Sequence, residues 1–345
     1  MVADRVHPRI AIAGAGSVGC YVGGCLTVAG RDVMLLLRPK LAQSIATYGL
    51  RISNLDGVDR TLPPTEVRLA TDPAAAFAGA DIILITVKSA DTSEMADLIA
   101  EHAISGVTVV SLQNGVGNVD LLLERIGAMA RIVPGMVPFN VLQTHEASTA
   151  PRFHRGTSGT ILIGQGVEGL RAALNVKGAA VAEHRDMAGV LWGKLILNLN
   201  NALNALCGLP LAQQIGDRRW RLLLARQVVE ALAVLENAGI TPARIEGVAP
   251  GTIPRILRLP NWLFRRVARR MLAIDPQARS SMWEDLERRR RTEIDYLQGA
   301  ILALAAKTGT AAPLAKGIVR LVNDAEAARA GSPGLNPEQV ARAVV

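Results

Sequence analysis

Short, nearly continuous apolar runs alternate with stretches of helical spacing through the first half of the chain. "RIAIAG" ends in glycine, "SVGCYVGGCLTVAG" repeats apolar positions three and four apart and is closed by Gly30, and "DVMLLLR" is a second strand pattern. "DIILITVK" (81–88), "VTVVSLQNG" (107–115) and "RIVPGMVPFNV" (131–141) repeat the strand signal. Strands without polar alternation are buried on both faces, as in a parallel sheet covered by helices on each side. The first half therefore predicts a doubly wound α/β domain. "RFHRGTSGTILIGQG" predicts a final strand pair, and around Asp186 the character changes. Helical patterns then run over 186–207, 218–237, 281–306 and 314–330, separated by the turn signals "GLP", "AGITP" and "KTGTAAP". The expected domains are 1–185 and an all-helical 186–345. Prolines between about Pro250 and Ala278 predict an irregular, broken-helix excursion. Its Trp262, Phe264 and Arg265 either cover a site or pack on a neighbouring helix. No internal repeat or low-complexity tract is found.

With 345 residues, 50% of them hydrophobic, the chain is long enough for two domains with their own cores. The amino terminus carries acid and base early and runs straight into a strand pattern, and no apolar run reaches the ~18 residues of a membrane span. A soluble, cytoplasmic protein with no membrane partner is expected. The three cysteines, Cys20, Cys25 and Cys207, lack metal-ligand spacing and fit a reducing compartment, so no metal is expected. A net charge of +8 suits an anionic partner. Nucleic acid is disfavoured, because aromatic residues are only 3% of the chain and no nucleic-acid-binding motif is found. The run "ERRRRTE" is flanked by acids and reads as a solvated helical face. An anionic cofactor and a small anionic substrate account for the rest of the charge.

The first candidate site is "GAGSVG", comprising Gly14, Ala15, Gly16, Ser17, Val18 and Gly19, which matches G-x-G-x-x-G between a strand and a helix. Such glycines allow a tight turn, approach of a pyrophosphate to backbone N–H groups at a positive helix end, and close helix packing. The end of the second strand chooses the nucleotide: an acid binds a ribose 2′-hydroxyl, whereas a base accommodates a 2′-phosphate. Here it is Arg38, with Lys40 nearby, which favours NADP(H). The alternative for Arg38 is a surface residue at a strand end. Lys88 and Asn114 follow later strands at their carboxyl ends, where ligands of such sheets bind. Lys88 either approaches the cofactor or is the first solvated residue after its strand. Asn114 either makes a polar contact near the nicotinamide or serves the Asn-Gly turn.

The second candidate is "LWGKLILNLNN" (191–201). At about 100° per residue, Lys194, Asn198 and Asn201 lie within roughly 60° of one another on a helix otherwise built of Leu195, Ile196, Leu197, Leu199 and Leu203. A cation in such a stripe must find partners or lose its charge.

Taken with "ITVKSAD", "LQNGVGN" and "SSMWEDLERRRRTEIDYLQGAI", these segments resemble the ketopantoate reductase (2-dehydropantoate 2-reductase) family along nearly the whole chain. Ser281 stands twelve residues before Glu293, the family's spacing. The resemblance implies an N-terminal Rossmann-type NADP-binding domain and a C-terminal all-helical domain for substrate and dimerisation, with substrate in the cleft between them. It implies NADPH-dependent reduction of ketopantoate to pantoate, in pantothenate biosynthesis on the coenzyme A pathway. Lys194 is then the general acid that meets the oxygen of the carbonyl under hydride attack, helped by desolvation that lowers a lysine's pKa. Glu293 binds the substrate hydroxyl, Ser281 its carboxylate end, Asn114 orients lysine or ligand, and Asn198 binds lysine or substrate. Ser281 also reads as the start of a capping box with Glu284, and Glu293 as a partner of the preceding arginines. On a helix, Asp295 points away from Glu293 and reads as structural.

The chain departs from the family pattern at Ala202, where a second asparagine is common, at Gln298, and in the 250–278 insert. Asn201 lies on the right stripe to substitute for the missing asparagine. These departures keep two alternatives open: the same chemistry on another 2-oxo acid or an imine, and a redox sensor that binds NADP(H) without turnover. A homodimer is compatible with the helical half.

Overall fold

Each apolar run of the first half forms a strand in the computed structural model, which describes residues 7–244, 247–268 and 277–344. In chain order the strands are β1 (Arg9–Ala13), β2 (Asp32–Leu36), β3 (Leu50–Asn54), β4 (Asp59–Leu62), β5 (Arg68–Ala70) and β6 (Ile82–Ile85). They continue with β7 (Thr108–Ser111), β8 (Arg131–Met136), β9 (Val141–Thr144), β10 (Arg152–Arg155), β11 (Ile161–Gly164) and β12 (Val181–His184). The chain divides into two compact units, Met1–Met187 and Ala188–Val345.

The first unit is built on an eight-stranded sheet of order β12-β11-β8-β7-β6-β1-β2-β5. From β5 to β8 every neighbouring pair is parallel. The alternation of side chains across the pleat gives the sheet two buried faces. Ile10, Ile12, Val33, Leu35, Ile82 and Leu84 join one core with Tyr21, Val22 and Leu26 of the helix Ser17–Val28. Ala11, Ala13, Met34, Leu36, Ile83 and Ile85 join the other, with Phe77, Met95, Ile99 and Leu122.

Two features depart from the sequence expectation. β11 runs antiparallel to β8, so the sheet is mixed at that edge, with β12 parallel to β11. The expected pair β10 and β11 does not pair at all. β10 belongs to a second sheet of order β4-β3-β10-β9, lying parallel to β3 and antiparallel to β9. The split follows from burial: β10 alternates, with Phe153 fully buried between half-buried Arg152 and His154, whereas β11 has three of its four residues buried and fits the main sheet. The β3–β4 hairpin turns on Asn54, whose Oδ1 accepts from the Asp56 and Val58 amides at 2.9 Å each.

The second unit is helical, with no strand among its described residues. The pattern over 186–207 forms two consecutive helices, Met187–Asn198 and Asn200–Cys207, and 218–237 forms one helix, Arg218–Asn237. The pattern over 281–306 does not form one helix. Ser281–Glu287 ends in a Schellman-type turn, with Arg289 left-handed at φ +53°, its amide bonded to the Leu286 carbonyl, and the Arg290 amide bonded to the Asp285 carbonyl. A 3₁₀ turn, Ile294–Tyr296, and the helix Gln298–Thr308 follow. The arginine run is thus an exposed turn, not a helical face.

The proline-rich insert folds as the short helices Ile253–Arg258 and Asn261–Val267, and its residues 269–276 lie outside the described residues. It is tied to the helix Arg218–Asn237 by Arg221, whose side chain is fully buried. The Arg221 guanidinium donates to the carbonyls of Leu257, Ile215, Gly216 and Leu259 and to Asn261 Oδ1, and lies 4.1 Å from the Phe264 ring centroid. Phe264 therefore packs inside while Trp262 stays 71% exposed. Among the described residues no helix is long and apolar enough to cross a membrane.

Candidate functional site

In the first unit the candidate residues sit on the loops that leave the carboxyl ends of β1, β2, β6 and β7. Gly14 has φ +74°, and a Cβ there would lie 2.0 Å from Val87 Cγ1, so both conformation and space demand glycine. A Cβ on Gly19 would lie 2.4 Å from Thr86 Oγ1 and 2.9 Å from Ile12 Cγ2, so this glycine lets the helix Ser17–Val28 press on the sheet. Gly16 is exposed, and a Cβ there would meet only the Gly14 carbonyl, at 4.0 Å. It begins a twelve-residue helix that takes no side-chain cap. An open glycine before an uncapped helix start, with Ser17 and Val18 half-buried beside it, fits the pyrophosphate of a dinucleotide. The Ala15 amide bonds to the Leu36 carbonyl at 2.8 Å, which fixes this loop against the end of β2. Arg38 and Lys40 are exposed just beyond it, at the start of the helix Pro39–Tyr48.

Lys88 is half-buried and begins the 3₁₀ turn Ser89–Asp91; the Asn114 side chain is exposed at the head of the loop after β7. Beneath them lies a buried polar network that the sequence reading did not include. The Ser89 hydroxyl and the Asn118 amide both donate to the Asn114 carbonyl, at 2.9 and 2.8 Å. Asn118 Nδ2 also donates to Ser89 Oγ at 3.1 Å, and Asn118 Oδ1 lies 3.0 Å from Thr92 Oγ1. Gln113 Nε2 donates to Thr92 Oγ1 at 2.7 Å and to the Val87 carbonyl at 3.2 Å. Apart from Asn118 and Asn114, four residues apart, the partners are 21 to 29 residues apart in sequence. Asn118, four residues after Asn114, was the available signal.

In the second unit Lys194, Asn198 and Asn201 are half-buried, while Leu195, Ile196, Leu199, Ala202 and Leu203 are buried. The polar positions are thus less buried than most of the apolar side, although Leu197 of that side is half-buried too and the helix breaks at Leu199. Gln298 supports that break: its Nε2 donates to the Leu199 carbonyl at 2.9 Å and to Gln227 Oε1 at 3.1 Å. Ser281 is exposed at the first position of its helix, and the cap is Ser280 instead. Ser280 Oγ accepts from the Trp283 amide and donates to the Asn201 carbonyl at 3.1 Å, and the Ser280 amide donates to Asn204 Oδ1 at 2.8 Å. The capping box expected at Ser281 does not form: the cap is one residue earlier, at Ser280, with Trp283 rather than a glutamate at the third helical position, because the serine that turns inward has Asn201 and Asn204 to bond. The contact nevertheless brings Ser281 beside the turn that carries Asn201. Glu293 is half-buried and precedes the 3₁₀ turn, so the helical angle assumed between it and Asp295 does not apply; Asp295 is exposed.

Cysteine chemistry has no place here. All three cysteines are buried and free, and burial raises the thiol pKa of Cys25 to about 11 and that of Cys20 further. Among the described residues no group of three or more histidine, cysteine, aspartate or glutamate side chains could hold a metal ion.

The core order β5-β2-β1-β6-β7-β8, with a glycine loop after β1, defines a Rossmann-type dinucleotide-binding protein, here with a second, all-helical unit. The family models for ketopantoate reductase PanE/ApbA and for its C-terminal domain match residues 10–168 and 186–326, and the chain belongs to that family. It is an oxidoreductase acting on a CH–OH group, of a family that uses NAD(P). A 2-dehydropantoate 2-reductase of Halobacterium salinarum is 28% identical, the match covering 92% of this chain and 99% of the relative. A crystal structure of a PanE/ApbA family ketopantoate reductase from Ralstonia eutropha is 29% identical, covers 93% of this chain and 99% of its own, and superposes with a TM-score of 0.76. A 2-dehydropantoate 2-reductase from Geobacter metallireducens gives 27%, 92% and 99%, with a TM-score of 0.75.

Proposed function

We propose that this chain reduces ketopantoate to pantoate with NADPH, and that Lys194 is the general acid. The observation that carries the reading is Lys194 itself, a half-buried cation on a helix whose neighbouring positions are buried leucine and isoleucine. Reduction of a ketone places negative charge on the carbonyl oxygen, and a proton must reach that oxygen. When bound, the dinucleotide supplies the hydride. Lys194 Nζ then gives its proton to the carbonyl oxygen, so that the π bond of C=O is replaced by one C–H and one O–H bond while the C–O single bond remains. Asn198 and Asn201, on the same stripe, hold the lysine or the substrate. Glu293 accepts a hydrogen bond from the substrate hydroxyl, and Ser281 donates to the carboxylate. In the first unit the loop Gly14–Gly19 takes the pyrophosphate, with Lys88 and Asn114 on the neighbouring loops beside the cofactor. Arg38 offers a planar pair of donors to a 2′-phosphate, which is the support for NADPH over NADH.

Steady-state dinucleotide oxidation tests the reading with ketopantoate against a panel of 2-oxo acids and cyclic imines, each with NADPH and NADH. Ketopantoate with NADPH is expected to give the highest kcat/KM. A higher value for another 2-oxo acid would transfer the same chemistry to that substrate, and no turnover with any would refute the reductase reading.

A further inference from the structure

The polar network under the cofactor loops has more connections than the loops need for their own turns. Ser89, Thr92, Ser111, Gln113 and Asn118 are all buried, with exposures of 0 to 6%. None faces solvent, so none is a ligand contact by itself. Ser89, Thr92, Gln113 and Asn118 each bond across from the segment after β6 to the segment after β7, and Ser111, the last residue of β7, supports them from the strand. Thr92 and Ser89 belong to the first, Gln113 and Asn118 to the second, and Ser111 Oγ holds Gln113 Oε1 at 3.0 Å.

A third loop is coupled to the same network through Val87. Gln113 fixes the Val87 carbonyl, and the Val87 side chain fills the space beside Gly14 that any Cβ would invade. Thr86, one residue earlier, donates its hydroxyl to the Gly14 carbonyl at 3.0 Å. The glycine turn, the loop carrying Lys88 and the loop carrying Asn114 are therefore held in one register by side chains that are buried or, at Thr86 and Val87, half-buried.

We infer that Asn118 and Thr92 are positioning residues for dinucleotide binding: they fix the Asn114 peptide and the Lys88 loop against the glycine turn. This inference rests on the dinucleotide role proposed above for these loops, but not on the identity of the oxidised or reduced substrate. Asn118 acts through its amide, whose two N–H groups satisfy the Asn114 carbonyl and Ser89 Oγ. Thr92 acts through its hydroxyl, which accepts from Gln113 and lies within hydrogen-bond distance of the Ser89 carbonyl and Asn118 Oδ1. Removing either leaves buried polar groups without partners, and the loops must shift to satisfy them.

The test uses the full chain with Asn118→Asp, Thr92→Val and the conservative Thr92→Ser. Dinucleotide dissociation constants are read by fluorescence titration, alongside KM and kcat for whichever 2-oxo acid the wild type turns over best. Asn118→Asp and Thr92→Val are expected to weaken dinucleotide binding about tenfold, which corresponds to ~1.4 kcal/mol. The KM of the 2-oxo acid and kcat at saturating dinucleotide should change less than twofold, and Thr92→Ser should recover wild-type binding. Folded variants that bind dinucleotide as wild type would overturn the inference. So would losses spread equally over dinucleotide affinity, substrate KM and kcat, which a merely structural role would give. A wild type that binds dinucleotide but reduces no 2-oxo acid refutes the reductase reading and leaves this inference to the titrations. A wild type that binds neither NADPH nor NADH overturns both.

Discussion

In the proposed mechanism Lys194 concentrates the chemistry of this chain in one side chain. A half-buried ammonium costs solvation free energy that an apolar residue at the same place would not, so its presence among Leu195, Ile196 and Leu199 needs a return in function. Lys194→Met keeps the length and the apolar stem while deleting the proton. Turnover should fall by at least the ~10²-fold typical of a lost general acid, with dinucleotide affinity within twofold of wild type. Lys194→Arg should not restore it, because a guanidinium holds its proton too tightly to donate it. Near-normal turnover in the methionine variant, measured at saturating substrate, would remove Lys194 from the mechanism. Ser281 shows the limit of reading single residues from a string. Two adjacent serines are equivalent in sequence, and only the positions of Asn201 and Asn204 decide that Ser280 is the inward cap.

Elements were legible where their signal is local. The helix Arg218–Asn237 keeps its apolar period throughout, and the central strands β6 (Ile-Ile-Leu-Ile) and β7 (Thr-Val-Val-Ser) are buried along their whole length. The second sheet was not legible, because β4 and β9 are largely exposed and carry no apolar run, so their pairing depends on partners far along the chain. The break after Glu287 was hidden for a similar reason. Nothing in "LERRRRTE" forbids helix, yet Arg289 takes the left-handed conformation at a cost of ~1–2 kcal/mol. The Thr292 amide meanwhile bonds to Glu326 Oε1 at 2.8 Å, on the helix Pro313–Ala328, a contact no local pattern announces. The insert is the clearest case, since its prolines indicated irregularity but not its anchor. With Arg221 gone, four carbonyls and Asn261 lose a charged donor in a buried place. Arg221→Met is expected to lower the unfolding free energy by about 3 kcal/mol in urea titration and to open the segment 247–268 to proteolysis. Arg221→Lys, with three donors in place of five, should fall between. Unchanged stability and protease resistance in both variants would show that the insert is held by its apolar contacts alone.

At the scale of the whole molecule the two units draw on separate sets of groups. The cofactor loops are supported by Gln113, Thr92 and Asn118 over the cores of the first unit, whereas the insert and the lysine helix are supported by Arg221, Gln227, Gln298 and Ser280 in the second. Among the described residues the hydrogen bonds named for the two networks have no residue in common, so perturbing one should leave the response of the other intact. Hydrogen exchange reads this directly, because local opening reports the free energy of each region separately. A dinucleotide at a hundred times its dissociation constant adds about 2.7 kcal/mol to the state that binds it. Exchange in peptides covering 14–19, 86–92 and 113–118 should slow by up to roughly 100-fold, wherever exchange requires loss of the ligand. Arg221→Met should speed exchange over 211–268 and leave that dinucleotide protection in place. If the arginine variant instead lost protection in the glycine loop, the independence of the two networks would be wrong, and the insert would have to be counted among the determinants of cofactor binding.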